Sequence, residues 1–267
     1  MLDNTRSERI RKVTALSGRS ARKKSGSILV EGPGAVKELV QFRAECILDV
    51  YFSEEAIKRN AALFQLANES VQWVHVVSPE VSDRLSKESQ GVVAVARKEA
   101  INAVGIDSES GKSAFWVLLP KTQDPGNLGT LVRTADAMGA RGVLLGQGTC
   151  EVSNPKVIRA SAGSVFHLPV AYGDFFDAVT ELQRKKVVVL GTALHTDSVA
   201  LSDLMTDTVS SLDGPHAWVF GNEARGLTAH EMSVCDRLVH IPMHGEAESL
   251  NVASAAAMCM FASSLAG

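Results

Sequence analysis

The stretch that decides the fold is residues 124–139, which read DPGNLGTLVRTADAMG. Apolar side chains recur in it at helical spacing, at Leu128, Leu131, Val132, Ala135 and Met138. This spacing predicts an amphipathic helix, with Asn127 as its N-cap and Gly139 at its end. The apolar run Phe115–Leu119 precedes it, so the Gly, Pro and polar residues in between lie at a strand-to-helix corner. Ligands bind open α/β sheets at such corners.

Two further segments have the same character. Residues 220–227 read FGNEARGL and place Glu223 and Arg225 in a glycine-flanked loop behind an apolar strand. Residues 241–253 read IPMHGEAESLNVA and join a strand to an Ala-rich helix, with Ser249 near the N-cap. Free backbone N–H groups at that helix start would face whatever the loop binds. The sequence therefore predicts three polar corners of the kind that bind ligands.

Strands alternate with helices along the rest of the chain. In the second half they are near-continuous apolar runs, at Phe115–Leu119, Gly142–Leu145, Val187–Leu190, Trp218–Phe220 and Leu238–Ile241. This pattern predicts a parallel sheet that is buried on both faces. In the first half the predicted strands are Ile28–Glu31, Cys46–Phe52, Val71–Val77 and Val92–Ala96, and the predicted helices are Ala35–Phe42, Glu54–Ala67 and Pro79–Lys87. We therefore expect two α/β domains, residues 1–96 and 115–267, joined by a linker at 97–114.

The composition is that of a globular protein, with 267 residues of which 45% are hydrophobic. Residues 1–24 hold eight basic and two acidic residues, so a head of net charge +6 precedes a body of −9. Such a head either binds polyanions or is a solvated terminus, and charge alone does not separate these interpretations. Neither a signal peptide nor an apolar run of about 18 residues is present, so we expect a cytoplasmic protein that does not enter a membrane.

The sequence lacks the motifs for dinucleotide binding, for metal binding and for a serine nucleophile. The glycines at 32–34 and 146–148 follow strands as a dinucleotide fingerprint would, but Lys37 and Glu151 occupy the third glycine position. No two of the four cysteines are closer than 24 residues, so no metal site is predicted. A Gly-x-Ser-x-Gly nucleophile motif is absent. A dehydrogenase and a hydrolase are both disfavoured.

In their order and separations, the segments 124–139, 220–227 and 241–253 resemble the signature motifs of the SpoU (TrmH-like) family of RNA ribose 2′-O-methyltransferases, in the SPOUT superfamily. The resemblance covers Phe115–Gly267. Through Arg22–Gly32, the first half is similar to the small ribosomal-protein-like RNA-binding domain often fused ahead of it. The resemblance implies a parallel-sheet α/β domain with a deep trefoil knot, a homodimer, and S-adenosylmethionine as the cofactor.

The resemblance also implies site residues. S-adenosylmethionine would be held mainly by main-chain groups, around Thr192, Ala193, Gly221, Ile241, Met243 and Leu250. The catalytic positions would be Asn127, Arg133, Glu223, Ser249 and Asn251. Glu223 would orient Asn127 or Arg133. Ser249 and Asn251 would fix the loop beside the cofactor, unless they merely cap the following helix.

Arg133 is the residue that the resemblance implies as acceptor of the ribose 2′-proton. A guanidinium stays protonated in proteins and is an unusual base. A protonated guanidinium can readily stabilise the developing alkoxide or hold the neighbouring phosphate. A role for Arg133 as the base and a role as an electrostatic group therefore both stay open. The chain departs from the family pattern at Ala224, where glycine is frequent, and at Ala247, where a larger aliphatic residue is usual. These departures concern the fit of the substrate.

The predicted RNA contacts are basic residues that would bind phosphates, namely Arg19, Arg22, Lys23, Lys24, Lys156 and Arg159. The charged head and the extra domain favour a large structured RNA. We expect ribosomal RNA of the large subunit, with transfer RNA as the second candidate. The alternative is an RNA-binding ribosome-assembly factor that has lost catalysis, and the presence of all five catalytic positions argues against it.

Overall fold

The computed structural model describes residues 1–101, 115–206 and 212–265, which form two compact units. The first unit comprises Met1–Asn102 and Glu151–His167, and the second comprises Ala103–Cys150 and Leu168–Gly267. Most of the predicted linker at 97–114 lies outside the described residues. The segment 151–167 is counted with the first unit, although the chain reaches it from a strand of the second.

The first unit is an α/β structure, and its elements are numbered here along the whole chain. They are α1 (Glu8–Ala15), α2 (Arg19–Ser25), β1 (Ser27–Glu31), α3 (Pro33–Arg43), β2 (Ile47–Ser53), α4 (Glu54–Arg59), α5 (Ala61–Ser70), β3 (Val74–Val77), α6 (Pro79–Leu85), β4 (Val92–Arg97) and, in the later segment, α8 (Pro155–Ala160). Short 3-10 turns cover Ala44–Cys46, Lys98–Ala100 and Ser164–Phe166. The sheet has the order β1-β4-β2-β3 and is antiparallel except for the β2–β3 pair.

The basic head is folded into two helices and is therefore not a frayed terminus, while polyanion binding by its charges stays a prediction. Ser7 caps α1 by accepting a hydrogen bond from the Ile10 amide at 3.3 Å. Ile10, Val13 and Leu16 are buried in a core that also contains residues of β1, β2 and β4. Apart from the buried Arg22, the charges of the head are mostly on exposed positions of α1 and α2, and the apolar face of α1 belongs to this core.

The predicted strands of the first half are all present, with ends that differ by at most three residues. The prediction of a single helix over Glu54–Ala67 is wrong. The chain bends at Asn60, whose φ of −130° and ψ of 48° are not helical, so α4 ends and α5 begins there. The Asn60 side chain and its backbone amide both donate to the Ala56 carbonyl, at 3.0 and 2.9 Å, which holds the end of α4.

The second unit is a parallel sheet with helices, as predicted. Its elements are β5 (Phe115–Leu119), α7 (Pro125–Ala137), β6 (Val143–Leu145), β7 (Val170–Tyr172), α9 (Phe175–Arg184), β8 (Val188–Thr192), β9 (Val199–Ala200), α10 (Leu201–Thr206), β10 (His216–Val219), α11 (Ala229–Ser233), β11 (Arg237–His240) and α12 (Val252–Leu265). Every strand pair described in this sheet is parallel. The strands β7 and β9, of three and two residues, are too short to show a period and were not predicted.

The order of the sheet is β7-β6-β5-β10-β8-β11-β9. From β5 the chain adds β6 and β7 on one side, and its later strands all lie on the other side. The strand order therefore reverses between β5 and β10, which makes that point the topological switch of the sheet. The loops after Leu119 and Val219 leave the sheet side by side there, because β5 and β10 pair in parallel. Helix α12 packs against α7.

Within residues 1–101, 115–206 and 212–265, no helix has the length and apolar character needed to cross a membrane.

Candidate active site

Helix α7 begins differently from the prediction. Its N-cap is Asp124, whose Oδ1 accepts a hydrogen bond from the Asn127 amide at 2.8 Å, and Pro125 occupies the first helical position. Proline is well suited to that position because its fixed φ is helical and it has no N–H to satisfy. The prediction of Asn127 as the cap is therefore wrong. Its side chain is left available for another partner.

That partner is Asn251, which lies 124 residues later in the chain. Asn251 Nδ2 donates to Asn127 Oδ1 over 3.2 Å. Asn251 Oδ1 accepts from the amides of Ala253 at 2.9 Å and Ser254 at 3.4 Å, so the same side chain caps α12. The cap that was predicted near Ser249 is two residues further on. One asparagine thus starts α12 and joins it to the first turn of α7.

The loop after β10 is a tight turn, and Gly221 at its start has no room for a side chain. The backbones of Asn222 and Gly226 exchange two hydrogen bonds, of 3.1 and 2.8 Å. A Cβ atom on Gly221 would lie 2.3 Å from the carbonyl carbon of Gly226 and 2.4 Å from the amide nitrogen of Leu227. Non-bonded heavy atoms do not approach a Cβ atom this closely in proteins. The loop therefore folds back onto its own strand end only because residue 221 has no side chain.

Glu223 extends from this turn to the start of α7, across the switch point. Its Oε1 accepts a hydrogen bond from the Asp124 amide at 3.3 Å. Its Oε2 accepts from Asn222 Nδ2 at 3.0 Å, and the same nitrogen lies 3.2 Å from the Lys121 carbonyl. Asn222 was not predicted to be functional. The sequence feature that could have indicated Asn222 is its position directly before Glu223 in the segment 220–227.

Arg133 and Ser249 are placed near this network in the chain but not in contact with it. Arg133 is exposed on α7, and no carboxylate of the described residues lies within 4 Å of its guanidinium. Ser249 is exposed in the loop that leads from β11 to α12. The structure thus joins Asn127 to Asn251 and Glu223 to the cap of α7. The catalytic roles of all five residues stay predictions.

The residues predicted to hold the cofactor follow three neighbouring strands. Thr192 ends β8, and its Oγ1 donates to the Val219 carbonyl of β10 at 2.9 Å. The Ala193 amide donates to the Val239 carbonyl of β11 at 3.0 Å. Gly221 and Ile241 follow β10 and β11, and β8 pairs with both of these strands. Met243 is exposed and Leu250 is half-buried in the loop before α12.

The local electrostatics argue against a cysteine nucleophile. Burial raises the pKa of the Cys150 thiol to about 11, and the carboxylates of Asp124 and Glu223 add to the increase. The thiol therefore stays protonated at neutral pH, whereas only the thiolate is a good nucleophile. Residues 1–101, 115–206 and 212–265 contain no group of three His, Cys, Asp or Glu placed to hold a metal ion.

The predicted RNA contacts lie in the first unit and differ in availability. Arg22 is buried, and its Nη2 lies 2.8 Å from Glu151 Oε2, while the exposed Arg19 lies 2.7 Å from Glu151 Oε1. Arg159 Nη1 lies 2.6 Å from Glu31 Oε2. These arginines hold the segment 151–167 to the rest of the unit. The exposed cations among the predicted contacts are Arg19, Lys23, Lys24 and Lys156.

An all-parallel α/β unit with a polar network at its switch point is the architecture of a ligand-binding α/β enzyme. Residues 114–261 match the SpoU rRNA Methylase family, and residues 29–101 match the family described as RNA 2′-O ribose methyltransferase substrate binding. The chain belongs to the SpoU rRNA methylase family.

Similar proteins span nearly the whole chain. A Bordetella pertussis protein named 23S rRNA (guanosine-2′-O-)-methyltransferase RlmB is 32% identical over 88% of this chain and 96% of its own length. A Streptomyces viridochromogenes protein named 23S rRNA (uridine(2479)-2′-O)-methyltransferase is 28% identical over 96% of this chain and 89% of its own. The AdoMet-bound rRNA methyltransferase from Sinorhizobium meliloti has a similar structure, with a TM-score of 0.80, 26% identity, and coverage of 98% and 96%.

Proposed function

We propose that this chain transfers a methyl group from S-adenosylmethionine to a ribose 2′-oxygen of large-subunit ribosomal RNA. The observation that carries the proposal is the network at the switch point, where Asn251 bonds Asn127 and Glu223 bonds the Asp124 amide. It joins the loops of three distant motifs at the edge where α/β sheets bind ligands. Membership of the SpoU family supplies the reaction class.

The residues after β8, β10 and β11 fit the cofactor. The turn at Gly221 packs backbone directly against the backbone of Gly226 and Leu227, so residue 221 offers only main-chain groups at this edge. Thr192 and Ala193 lie in the same row, and their bonds to Val219 and Val239 fix the ends of three adjacent strands. Ile241, Met243 and Leu250 would complete the site. When bound, the cofactor supplies an electrophilic methyl group, and the protein supplies orientation.

The chemistry left to the chain is to hold and polarise a poor nucleophile, the ribose hydroxyl. Arg133 offers a positive charge that no described carboxylate neutralises. We assign it to the charge that develops on the 2′-oxygen or to the neighbouring phosphate. The N-termini of α7 and α12 meet at Asn127 and Asn251, so two positive helix ends also face this edge. Glu223 and Asn222 position the start of α7, and Ser249 would lie beside the cofactor.

The relatives support ribosomal RNA as the substrate, since the two named above carry 23S rRNA in their names. One name specifies guanosine and the other uridine, so the methylated base is left open. Among the predicted RNA contacts in the first unit, three lysines are exposed and have no carboxylate partner among the described residues. They are Lys23, Lys24 and Lys156. We assign the phosphates of the RNA to them, and we place the protein in the cytoplasm with its substrate.

The homodimer and the trefoil knot belong to the proposal as well. Helix α12 is apolar on every side, which is typical of a buried helix. Yet Met258, Phe261 and Leu265, which share one stripe at helical spacing, are 45%, 52% and 60% exposed. A second copy of the chain would cover this stripe. We also retain the division at residues 97–114 between an RNA-binding part and the methyltransferase part.

The test is methylation of unmodified 23S and transfer RNA transcripts with a labelled methyl donor, followed by nucleoside mapping. We expect label in a 2′-O-methyl nucleoside of the ribosomal transcript. Label only in transfer RNA would change the substrate and keep the reaction. Label on a base would contradict the proposal. RNA binding without any label on either transcript would favour the assembly-factor alternative.

A further inference from the structure

A wide groove of about 860 Å³ lies in the first unit, between helices α1 and α2 and the strands β1, β2 and β4. Its floor is apolar and includes Val13, Leu16 and Val95, each at most 6% exposed. Both helices that wall it precede residue 29, where the match to the substrate-binding family begins. The groove therefore depends on a part of this chain that lies outside that match.

The rim of the groove carries three cations and two carboxylates, and Arg9 lies 3.9 Å from Asp49, so the net charge of the rim is positive by one. Arg9, Lys12 and Lys24 line it together with the carboxylates of Glu8 and Asp49. Lys24 is exposed, and no described carboxylate lies within 4 Å of its Nζ. Lys12 pairs with Glu8 at 2.7 Å, but both side chains are about three-quarters exposed. Exposed pairs of this kind contribute little stability, so the ammonium can exchange its partner for a phosphate.

An apolar floor with a cationic rim selects a ligand that has a flat apolar part next to an anion. A nucleotide of single-stranded RNA has this composition, because its base can leave the stack while its phosphates stay charged. A paired helix hides its bases and would offer nothing to the floor. A phosphate ion alone would leave the floor uncovered. Residues 1–24 carry a formal charge of +6, and although Arg19 and Arg22 are paired with Glu151, the remaining excess of positive charge attracts a polyanion.

We propose that this groove binds one unstacked nucleotide of the RNA substrate, with the base on Val13, Leu16 and Val95 and the flanking phosphates at Lys12 and Lys24. The proposal rests on the proposed function for the nature of the substrate. It adds a recognition site for a second nucleotide, distinct from the one whose ribose is methylated.

The first test blocks the groove without changing its charge. Ala15 is exposed at the end of α1 and lines the groove, so Ala15→Trp fills the groove from its rim. Ser20→Trp is the matched control, because Ser20 is exposed on α2 and does not line the groove. The affinity of the full chain for a fluorescent oligouridine of about 12 nucleotides is measured by anisotropy. We expect Ala15→Trp to weaken binding about tenfold and Ser20→Trp to leave it unchanged. Thermal melting verifies that both variants are folded.

The second test changes the charge. Lys12→Glu and Lys24→Glu should weaken binding and flatten the slope of log affinity against log salt by roughly 0.7 per lost phosphate contact. Arg11→Glu makes the same charge change on α1, at an exposed residue that does not line the groove, and should have a smaller effect. An abasic oligonucleotide of equal length should bind more weakly than oligouridine and should be indifferent to Ala15→Trp.

The outcomes separate this proposal from the proposed function. If the wild-type chain methylates ribosomal RNA while Ala15→Trp and Ser20→Trp bind oligouridine equally, the groove is not a nucleotide site and the function stands. If Ala15→Trp weakens the abasic probe as much as oligouridine, the groove binds polyanions only, and the proposal is overturned. If the chain methylates no RNA but Ala15→Trp alone loses oligouridine, the groove stands and the function fails.

Discussion

Asn127 and Asn251 are joined side chain to side chain over 3.2 Å, so the first turn of α7 and the cap of α12 are held together. The two residues belong to the first and third of the polar corners in the sequence. Because of this hydrogen bond, the position of each of these two asparagines depends on the other residue as well as on its own loop. A displacement of α12 would therefore move Asn127.

This bond is tested by a double-mutant cycle. Asn251→Ala also removes the cap of α12 and should cost about 1 kcal/mol in the free energy of unfolding. Asn127→Ala removes only the bond. The double variant should be less destabilised than the sum of the single ones, by about 0.5–1.5 kcal/mol. Urea unfolding measures the three variants. Strict additivity would show that the two amides do not interact in solution.

Gly221→Ala tests the backbone cradle of the cofactor. The new methyl group would collide with Gly226 and Leu227, so the turn must open. We expect S-adenosylmethionine affinity, measured by calorimetry, to fall about tenfold or more. The control is Gly245→Ala, since nothing lies within 4 Å of a Cβ atom there. Equal affinity of Gly221→Ala and wild type would remove this loop from the cofactor site.

A buried histidine makes stability depend on pH. Burial lowers the pKa of His216, whose Nδ1 lies 2.8 Å from the Gly214 carbonyl. Its Nε2 lies 2.7 Å from Ser263 Oγ, and this oxygen accepts a hydrogen bond from Trp218 Nε1. In the unfolded chain the imidazole titrates near pH 6.5, so below about that pH the unfolded state binds the extra proton. Stability should therefore fall as the pH decreases through about 6.5.

The measurement is the unfolding free energy of the wild type and of His216→Gln between about pH 5 and 7.5. The variant should lose stability at neutral pH and show a flatter dependence over this window. The carboxyl groups with lowered pKa, such as Glu8 and Glu80, titrate below it. Parallel curves for the two proteins would mean that His216 takes up its proton equally in both states.

The segment 151–167 is held by ion pairs of the first unit. Glu151→Ala would leave the buried Arg22 without its carboxylate, and we expect a loss of about 3 kcal/mol in unfolding free energy. Glu181→Ala removes an exposed carboxylate from pairs with Arg184 and Lys185 and should leave the melting temperature unchanged. Equal melting temperatures for both variants would show that the Arg22 pair is not a structural contact.

The fold could be predicted where its signals are local. Apolar runs located the main strands, and the three polar corners located the network of Asn127, Glu223 and Asn251. Hydrophobic periodicity and local composition can be seen within a few residues of sequence, which is why the strands and the polar corners could be predicted. The cap of α7 is local too, but Asp124 and Asn127 are both good N-cap residues. Pro125 at the first helical position was the signal that decides between them.

The remaining features depend on residues far apart in the chain. Arg22 and Arg159 are paired with Glu151 and Glu31, which lie 129 and 128 positions away in the chain, so no local pattern could show these ion pairs. Nothing in a linear pattern distinguishes a cation paired at that distance from a free one. The folding of the head was hidden for a related reason, since Ile10, Val13 and Leu16 are apolar positions within a strongly charged run.

The most direct test of the account compares cofactor binding and turnover in Arg133→Ala, with Arg133→Lys beside it. The cofactor is assigned to the backbone after β8, β10 and β11, and Arg133 to the charge on the ribose or phosphate. Calorimetry should therefore give an S-adenosylmethionine affinity within a few-fold of wild type for Arg133→Ala. Single-turnover methylation of the 23S transcript should fall by about a thousandfold, with partial recovery in Arg133→Lys. Loss of cofactor binding together with activity, or unchanged turnover, would contradict the account.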